Sequence, residues 1–383
     1  MRLQLTAVAL VAMALQMSAA RADGTLAARA VYYKERSTRV MQPMLDAMFD
    51  VGTRGTVNAH FLVDAITSAS AGSGAANAAA FTERRYEAGG SYTHELDGPA
   101  AIGWLEKWRV GGDAKMSTES DYTSWYGGAR VEADVAQRNA VFALGGGIAK
   151  DSISNAGAQN PLVMPQIQCK AASAAVADHC ALTSYSGFVS VSQVVSQTAL
   201  VGVSYDIARL TGYQANPYRQ VVTSGGLFPE QHPDDRLRHA LAVSGRWYIP
   251  ETHTTAIGSY RYYRDDWQIH AHTPEVRLVQ EIGPLADASV RYRYYRQTSA
   301  FFYRTRYATP DPMTTTYLTD DPKMSAYDGH ILEAKLGALG ELFSIGQPWA
   351  GMRFETTLQY VIQHNRFGNA VVAHVALTVP FNY

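Results

Sequence analysis

The stretch Ala373-His374-Val375-Ala376-Leu377-Thr378-Val379-Pro380-Phe381-Asn382-Tyr383 carries an apolar or aromatic side chain at every odd position and ends on an aromatic residue. Successive strand side chains point to opposite faces, so the odd positions form one apolar face while His374, Thr378 and Asn382 lie on a polar one. A strand with a lipid side and a wet side, closing the chain on an aromatic, is how an outer-membrane β-barrel ends. A soluble β-sandwich also alternates. It buries its apolar face in one core, however, and rarely needs many long strands joined by connections that alternate short and long.

The same period of two recurs along the chain and predicts about fourteen strands, each long enough for a tilted crossing of roughly 9 to 11 residues. The expected spans are 51–66, 81–95, 101–116, 122–137, 139–151, 186–197, 199–210, 236–249, 253–265, 272–283, 286–299, 327–340, 350–364 and 368–383. Segregation is clearest where Met352, Phe354, Thr356, Leu358, Tyr360 and Ile362 alternate with Arg353, Glu355, Thr357, Gln359 and Gln363. Val276, Leu278 and Ile282 against Glu275, Arg277 and Glu281 repeat it, as do Ala129, Val131, Ala133 and Val135 against Arg130, Glu132 and Asp134. A basic residue facing lipid near the midplane costs about 2–4 kcal/mol, so the charged face is expected to line a wet lumen. Glu106 breaks the pattern, on a face with Ile102, Trp104, Trp108 and Val110, and predicts either a register slip or an interfacial position.

The fold class is therefore an all-β transmembrane antiparallel barrel of outer-membrane type. Arg2 before an apolar run from Leu3 to Leu15, with Ala20-Arg21-Ala22 as a cleavage site, predicts an export signal over 1–22. Residues 23–50 read as a periplasmic segment, since Met41, Met44, Leu45, Met48 and Phe49 fall at helix-like spacing; it is expected to plug or cap the barrel or to grip a partner. Residues 51–383 form the wall, with both termini periplasmic. No later stretch approaches the roughly 18 unbroken apolar residues of a membrane helix. Twenty-three Tyr and 31 Gly suit interfacial girdles and tight strand turns, and a net charge of −1 gives no basic footprint for nucleic acid.

Candidate chemistry is sparse. Cys169 and Cys180 are the only cysteines, an even number in an exported chain, and predict a loop disulfide; with His179 they supply too few ligands for zinc. Tyr260–Arg264 and Arg291–Arg296 repeat a Tyr/Arg pattern. Its arginines, Arg261, Arg291 and Arg293, either form an anion-selective constriction or pair with Glu275, Glu281 and Glu333 across the wall, while Tyr260, Tyr262, Tyr292 and Tyr294 face lipid. With Arg130, Glu132, Asp134, Arg277, Arg353 and Glu355 these are the expected lumen-lining residues. Asp234-Asp235, Asp265-Asp266, Asp311 and Asp320-Asp321 read as turn carboxylates without EF-hand spacing, though such groups also suit calcium. His270 and His272 share a strand face with no third ligand evident, and nothing orders Ser186, Ser190, Ser192 or Ser196 with His239 or His253 into a triad. No catalytic, cofactor-binding or metal residue is assigned, and no enzyme is expected.

Tyr32–Glu35 with Gln42-Pro43-Met44, Asp64–Gly74, Asn216–Arg219, Pro233–Arg238 and Tyr260–Thr273 together resemble the bacterial family labelled domain of unknown function 3570. The resemblance covers nearly all of the mature chain. It implies an exported outer-membrane barrel, carries over no catalytic residue, and implies a periplasmic redox or secretion neighbourhood. The expected role is a narrow channel or passive transporter for small polar solutes, embedded in outer-membrane lipid. The alternative is a membrane scaffold for a periplasmic or surface partner protein.

Overall fold

The computed structural model describes residues 23–36, 38–68, 81–98, 105–154, 179–216, 219–310 and 317–381. The export signal expected at 1–22 lies outside them, as do Cys169, Ile102, Trp104 and Asp311. The strands are β1 Gly24–Lys34, β2 Thr38–Val51, β3 Gly55–Ser68, β4 Phe81–Asp97, β5 Leu105–Thr118 and β6 Tyr122–Val135. They continue as β7 Ala140–Ser154, β8 His179–Ser196, β9 Ala199–Gly212, β10 Gln220–Thr223, β11 Gly226–Pro229 and β12 Asp235–Ile249. The last six are β13 Thr254–Asp265, β14 His270–Ile282, β15 Ala286–Gln297, β16 Tyr327–Leu339, β17 Arg353–Gln363 and β18 Ala370–Phe381. All except β10 and β11 form one closed antiparallel barrel, in which β9 passes directly to β12 and β18 returns to β1. Closure leaves no unpaired strand edge, as a wall in hydrocarbon requires.

The wall thus has 16 strands rather than about fourteen. The two additional strands are amino-terminal: residues 23–50, expected to plug or cap the barrel, are β1 and most of β2, and the wall begins at Gly24 rather than 51. β2 carries apolar side chains on both faces, Met41 and Leu45 on one, Met44 and Met48 on the other. That blurs the period of two and imitates helical spacing.

Register places the segregated faces as the sequence pattern requires. Leu358 pairs with Ala373, Val290 with Leu278 and Trp247 with Ala256 on the outer side, where Leu144, Leu358, Trp247 and Val290 are 57–64% exposed. A soluble fold rarely leaves so many large apolar groups uncovered, and an apolar outer face of this kind is the pattern of a membrane-embedded wall. Glu106 falls at a register shift between Leu105 and Lys107, and its carboxylate lies 3.9 Å from Arg138 in the next turn.

With an even strand number both chain ends leave by one rim. That rim carries mostly tight turns, such as 52–54, 136–139, 197–198 and 283–285, and Gly52 takes the left-handed φ of +64° that the first of them needs. At the opposite rim β3 leads to β4, β7 to β8, β9 to β12 and β15 to β16, each pair separated by a long interval of sequence. On the inner face Gly147 lets Tyr126 lie against the wall: a Cβ there would sit 2.5 Å from the tyrosine oxygen.

Candidate functional site

Two groups of charged side chains face one another along the inner wall. On β4 to β6, Arg109 donates to Glu132 at 2.9 Å and to Asp134 at 2.7 and 2.9 Å, and Arg130 reaches the Thr93 hydroxyl at 3.0 Å and Glu132 at 3.5 Å. On β14 to β17, Arg293 donates to Glu275 at 2.6 Å, Arg291 bridges Glu275 and Glu333, and Arg277 lies 3.8 Å from Glu333. Arg353 donates to Glu355 at 3.0 Å and also to Asp287, while Lys335 lies 2.7 Å from Glu355. Arg353 reaches past β16, and Arg277 past β15; such two-strand spans form on a concave surface, where curvature draws side chains together.

Two residues of the expected set stand apart. Arg261 lies over the Tyr263 ring at 5.7 Å instead of crossing to a carboxylate, and Glu281 lies 3.7 Å from His253 at the turn rim. Arg109, Lys335 and Asp287 join this lining although they were not among the residues expected from sequence. Arg109 was hidden by the bulge at Glu106, although Lys107 and Arg109 share a face two residues apart. Between the charged arcs, the inner positions of β7 to β9 and β12 are mostly small or hydroxyl-bearing: Gly145, Gly147, Ser186, Ser190, Ser204 and Ser244.

The remaining candidates separate by face. Tyr260, Tyr262 and Tyr292 lie outside, their hydroxyls against Nδ1 of His272 at 2.5 Å, His270 at 2.8 Å and His330 at 2.8 Å. His239 is also outside, bonded to Tyr205 at 2.6 Å, whereas Ser186, Ser190 and Ser192 point inward, so the wall separates His239 from these serines. Most of the rim carboxylates are taken by arginines: Asp235 by Arg209, Asp265 by Arg236, Asp320 by Arg366 and Asp321 by Arg219. Cys180 belongs to β8, which starts before the expected 186, and is buried against Ile153.

The long-loop rim carries a packed cap with no counterpart among the features expected from sequence. Trp267, Ile269, Ala300 and Phe302 form a buried apolar cluster, and Arg236, on the inner face of β12, stacks on Trp267 at 4.1 Å. The cap therefore seats in the mouth over β12 to β15. The connections 213–234 and 298–326 are stitched by Gln231 and Leu318, which exchange backbone bonds of 2.9 and 2.8 Å. Beneath them Glu230, with a fully buried side chain, accepts from the Thr319 hydroxyl at 2.5 Å and lies 3.4 Å from Arg219 and 3.3 Å from His232; Arg219 also contacts Asp321. Burial alone would push the Glu230 carboxyl up, but the bond and charge of His232, then Arg219 and Thr319, outweigh it and hold it at about 2. On the same rim, burial followed by the neighbouring charge of Glu83 raises the Glu119 carboxyl to about 7, against the opposing pull of Arg85.

A closed antiparallel wall, apolar outside and charge-paired inside, defines the class as a β-barrel of outer-membrane type. The chain belongs to the family described as "Protein of unknown function (DUF3570)", which matches residues 1–339, so β17 and β18 complete the barrel beyond the matched part. Among solved structures it resembles a "Bacterial polysaccharide outer membrane secretin" at 9% identity and TM-score 0.51, covering 94% of this chain and 98% of that one. Pseudomonas aeruginosa OprD matches at 10% identity and TM-score 0.43 over 95% and 94% of the two chains. The "CymD monoaromatic hydrocarbon channel" matches at 9% identity and TM-score 0.43 over 94% and 89%. These likenesses are of fold. No curated protein matches in sequence.

Proposed function

We propose that the protein is a passive outer-membrane channel for small polar solutes, with the turn rim and both termini periplasmic and the cap at the outer mouth. The observation that carries this is the wall itself: 16 strands are enough to enclose an aqueous lumen, and the inner face is polar and charged. Arg130, Glu132, Asp134, Glu275, Arg277, Arg291, Arg293, Glu333, Arg353 and Glu355 line that path, with Arg261 and Glu281 toward its two ends. Arg277, Arg291, Arg293 and Arg353 each lie within 4.0 Å of a carboxylate, which argues against a bare arginine ring and for weak charge selectivity. Neutral and zwitterionic solutes, which exchange hydration for paired charges on one arc and hydroxyls on the other, suit such a lumen.

The scaffold reading loses the surface that supported it, because residues 24–51 are built into the wall. Cys169 and Cys180 remain the proposed disulfide, tying the 155–178 connection to β8; non-reducing peptide mapping tests it. The channel is tested by liposome swelling with sugars, amino acids and small anions. Comparable entry of small neutral and zwitterionic solutes, falling with size, is expected. Entry of anions alone would overturn the selectivity argument, and no entry of any solute would overturn the channel.

A further inference from the structure

We propose that Asp328, His330 and His364 form a binding site for a late first-row divalent metal ion on the outer wall, beneath the long-loop rim. The register builds it. Asp328 and His330 lie two apart on β16 and so share its outer face, and the β16–β17 pairing of Gly329 with Gln363 and His330 with Ile362 carries His364 to the position opposite Asp328. The His364 amide donates to the Asp328 carbonyl at 3.0 Å, which fixes that placement at the end of β17. One ligand atom from each of the three residues lies within 4.8 Å of the others.

A carboxylate opposite the free ring nitrogen of His330, with a second histidine on that carboxylate, distinguishes this trio from the other histidines of the outer face. The Tyr292 hydroxyl lies 2.8 Å from its Nδ1, which occupies that nitrogen and turns Nε2 toward Asp328. The Nε2 to Asp328 Oδ2 separation is 3.9 Å, too long for a hydrogen bond. A metal with bonds of about 2.0–2.1 Å bridges such a gap after small side-chain rotations. A hydrogen-bond partner on the second imidazole nitrogen is also the usual outer support of a metal-ligating histidine. His364 Nδ1 lies 2.7 Å from Asp328 Oδ2, so the third ligand is already drawn to the same carboxylate. His270 and His272, the pair singled out from sequence, are held by Tyr262 and Tyr260 in the same way but do not belong to such a trio.

Two imidazoles and one carboxylate suit zinc, nickel or copper(II) rather than calcium or magnesium, which prefer all-oxygen shells. The side chains are 31–56% exposed, which leaves open coordination positions for water or an anionic oxygen.

The test is titration of the full chain, untagged and in detergent, with zinc by calorimetry and with copper(II) by electron paramagnetic resonance. One ion per chain with nitrogen superhyperfine structure is expected. His364→Asn and Asp328→Asn each weaken binding about tenfold or more, and Tyr292→Phe weakens it about tenfold by freeing the His330 ring. His270→Asn with His272→Asn leaves affinity unchanged. His364 lies in an exposed turn, so a barrel carrying His364→Asn, checked by heat-modifiable migration on gels, keeps the test independent of folding. Absence of binding, undiminished binding in His364→Asn and Asp328→Asn, or loss of binding in the His270/His272 variant would overturn the proposal.

Discussion

Replacing Arg219 by methionine removes a charge from the cap while retaining most of its volume. The Arg219 side chain is 7% exposed and sits between Glu230, at 0%, and Asp321, at 13%. Removing one member of a buried charge group costs about 3–5 kcal/mol, because the remaining charge is stranded without water. His232 and the Thr319 hydroxyl stay beside Glu230, so the lower end, about 3 kcal/mol, applies. At about 1.4 kcal/mol per tenfold, local opening of the cap becomes about 100-fold more frequent. Hydrogen exchange followed by mass spectrometry reads this directly. The amides of Gln231 and Leu318, which bond each other's carbonyls, report on the cap, and those of β15 report on the wall. Exchange should accelerate about 100-fold in the cap and stay unchanged in β15. Unchanged exchange at Gln231 and Leu318 would show that the Arg219 charge group does not hold the cap and leave the Trp267 cluster as the element that does.

Deleting residues 24–51 removes two wall strands, so no heat-modifiable barrel should form on gels; a folded, more conductive product would restore the plug reading. Leu358→Arg places a charge on the lipid face and should cost about 2–4 kcal/mol in urea unfolding from vesicles, whereas Thr357→Arg, one residue away on the inner face, should cost clearly less. Glu119 holds its proton more tightly folded than unfolded, so its ionisation erodes stability as pH rises from about 4.5 to about 7. Glu119→Gln should therefore unfold at higher urea than the parent at pH 8, by about 1–2 kcal/mol after allowing for solvent screening, and equally at pH 4.5. Equal midpoints at both pH values would contradict that assignment.

Architecture was legible in sequence wherever one face of a strand was wholly apolar and the other charged. β17, with Leu358 and Tyr360 against Glu355 and Gln359, needed only the period of two. β1 and β2 escaped because Ala27, Val31, Met44 and Met48 place apolar groups on the inner face near the seam where the chain closes on β18, and the alternation fades there. The charged lining was visible as a list of positions, but its pairing was not. Arg291 meets Glu333 on the adjacent strand, yet Arg353 passes over β16 to reach Asp287, a partner set by barrel curvature. The cap was illegible for a different reason. Trp267, Thr319 and the pair Arg219 and Glu230 come from three separate connections with no periodicity, and only the closed wall brings those connections to one mouth. The Asp328–His330–His364 trio required the β16–β17 register.

A continuous aqueous path through the wall is open to detection by single-channel recording of the refolded full chain in planar bilayers. Stable conductance steps with a reversal potential near zero in a salt gradient are expected, and longer open times for Arg219→Met. A folded barrel that remains silent in both the parent and Arg219→Met would contradict such a path.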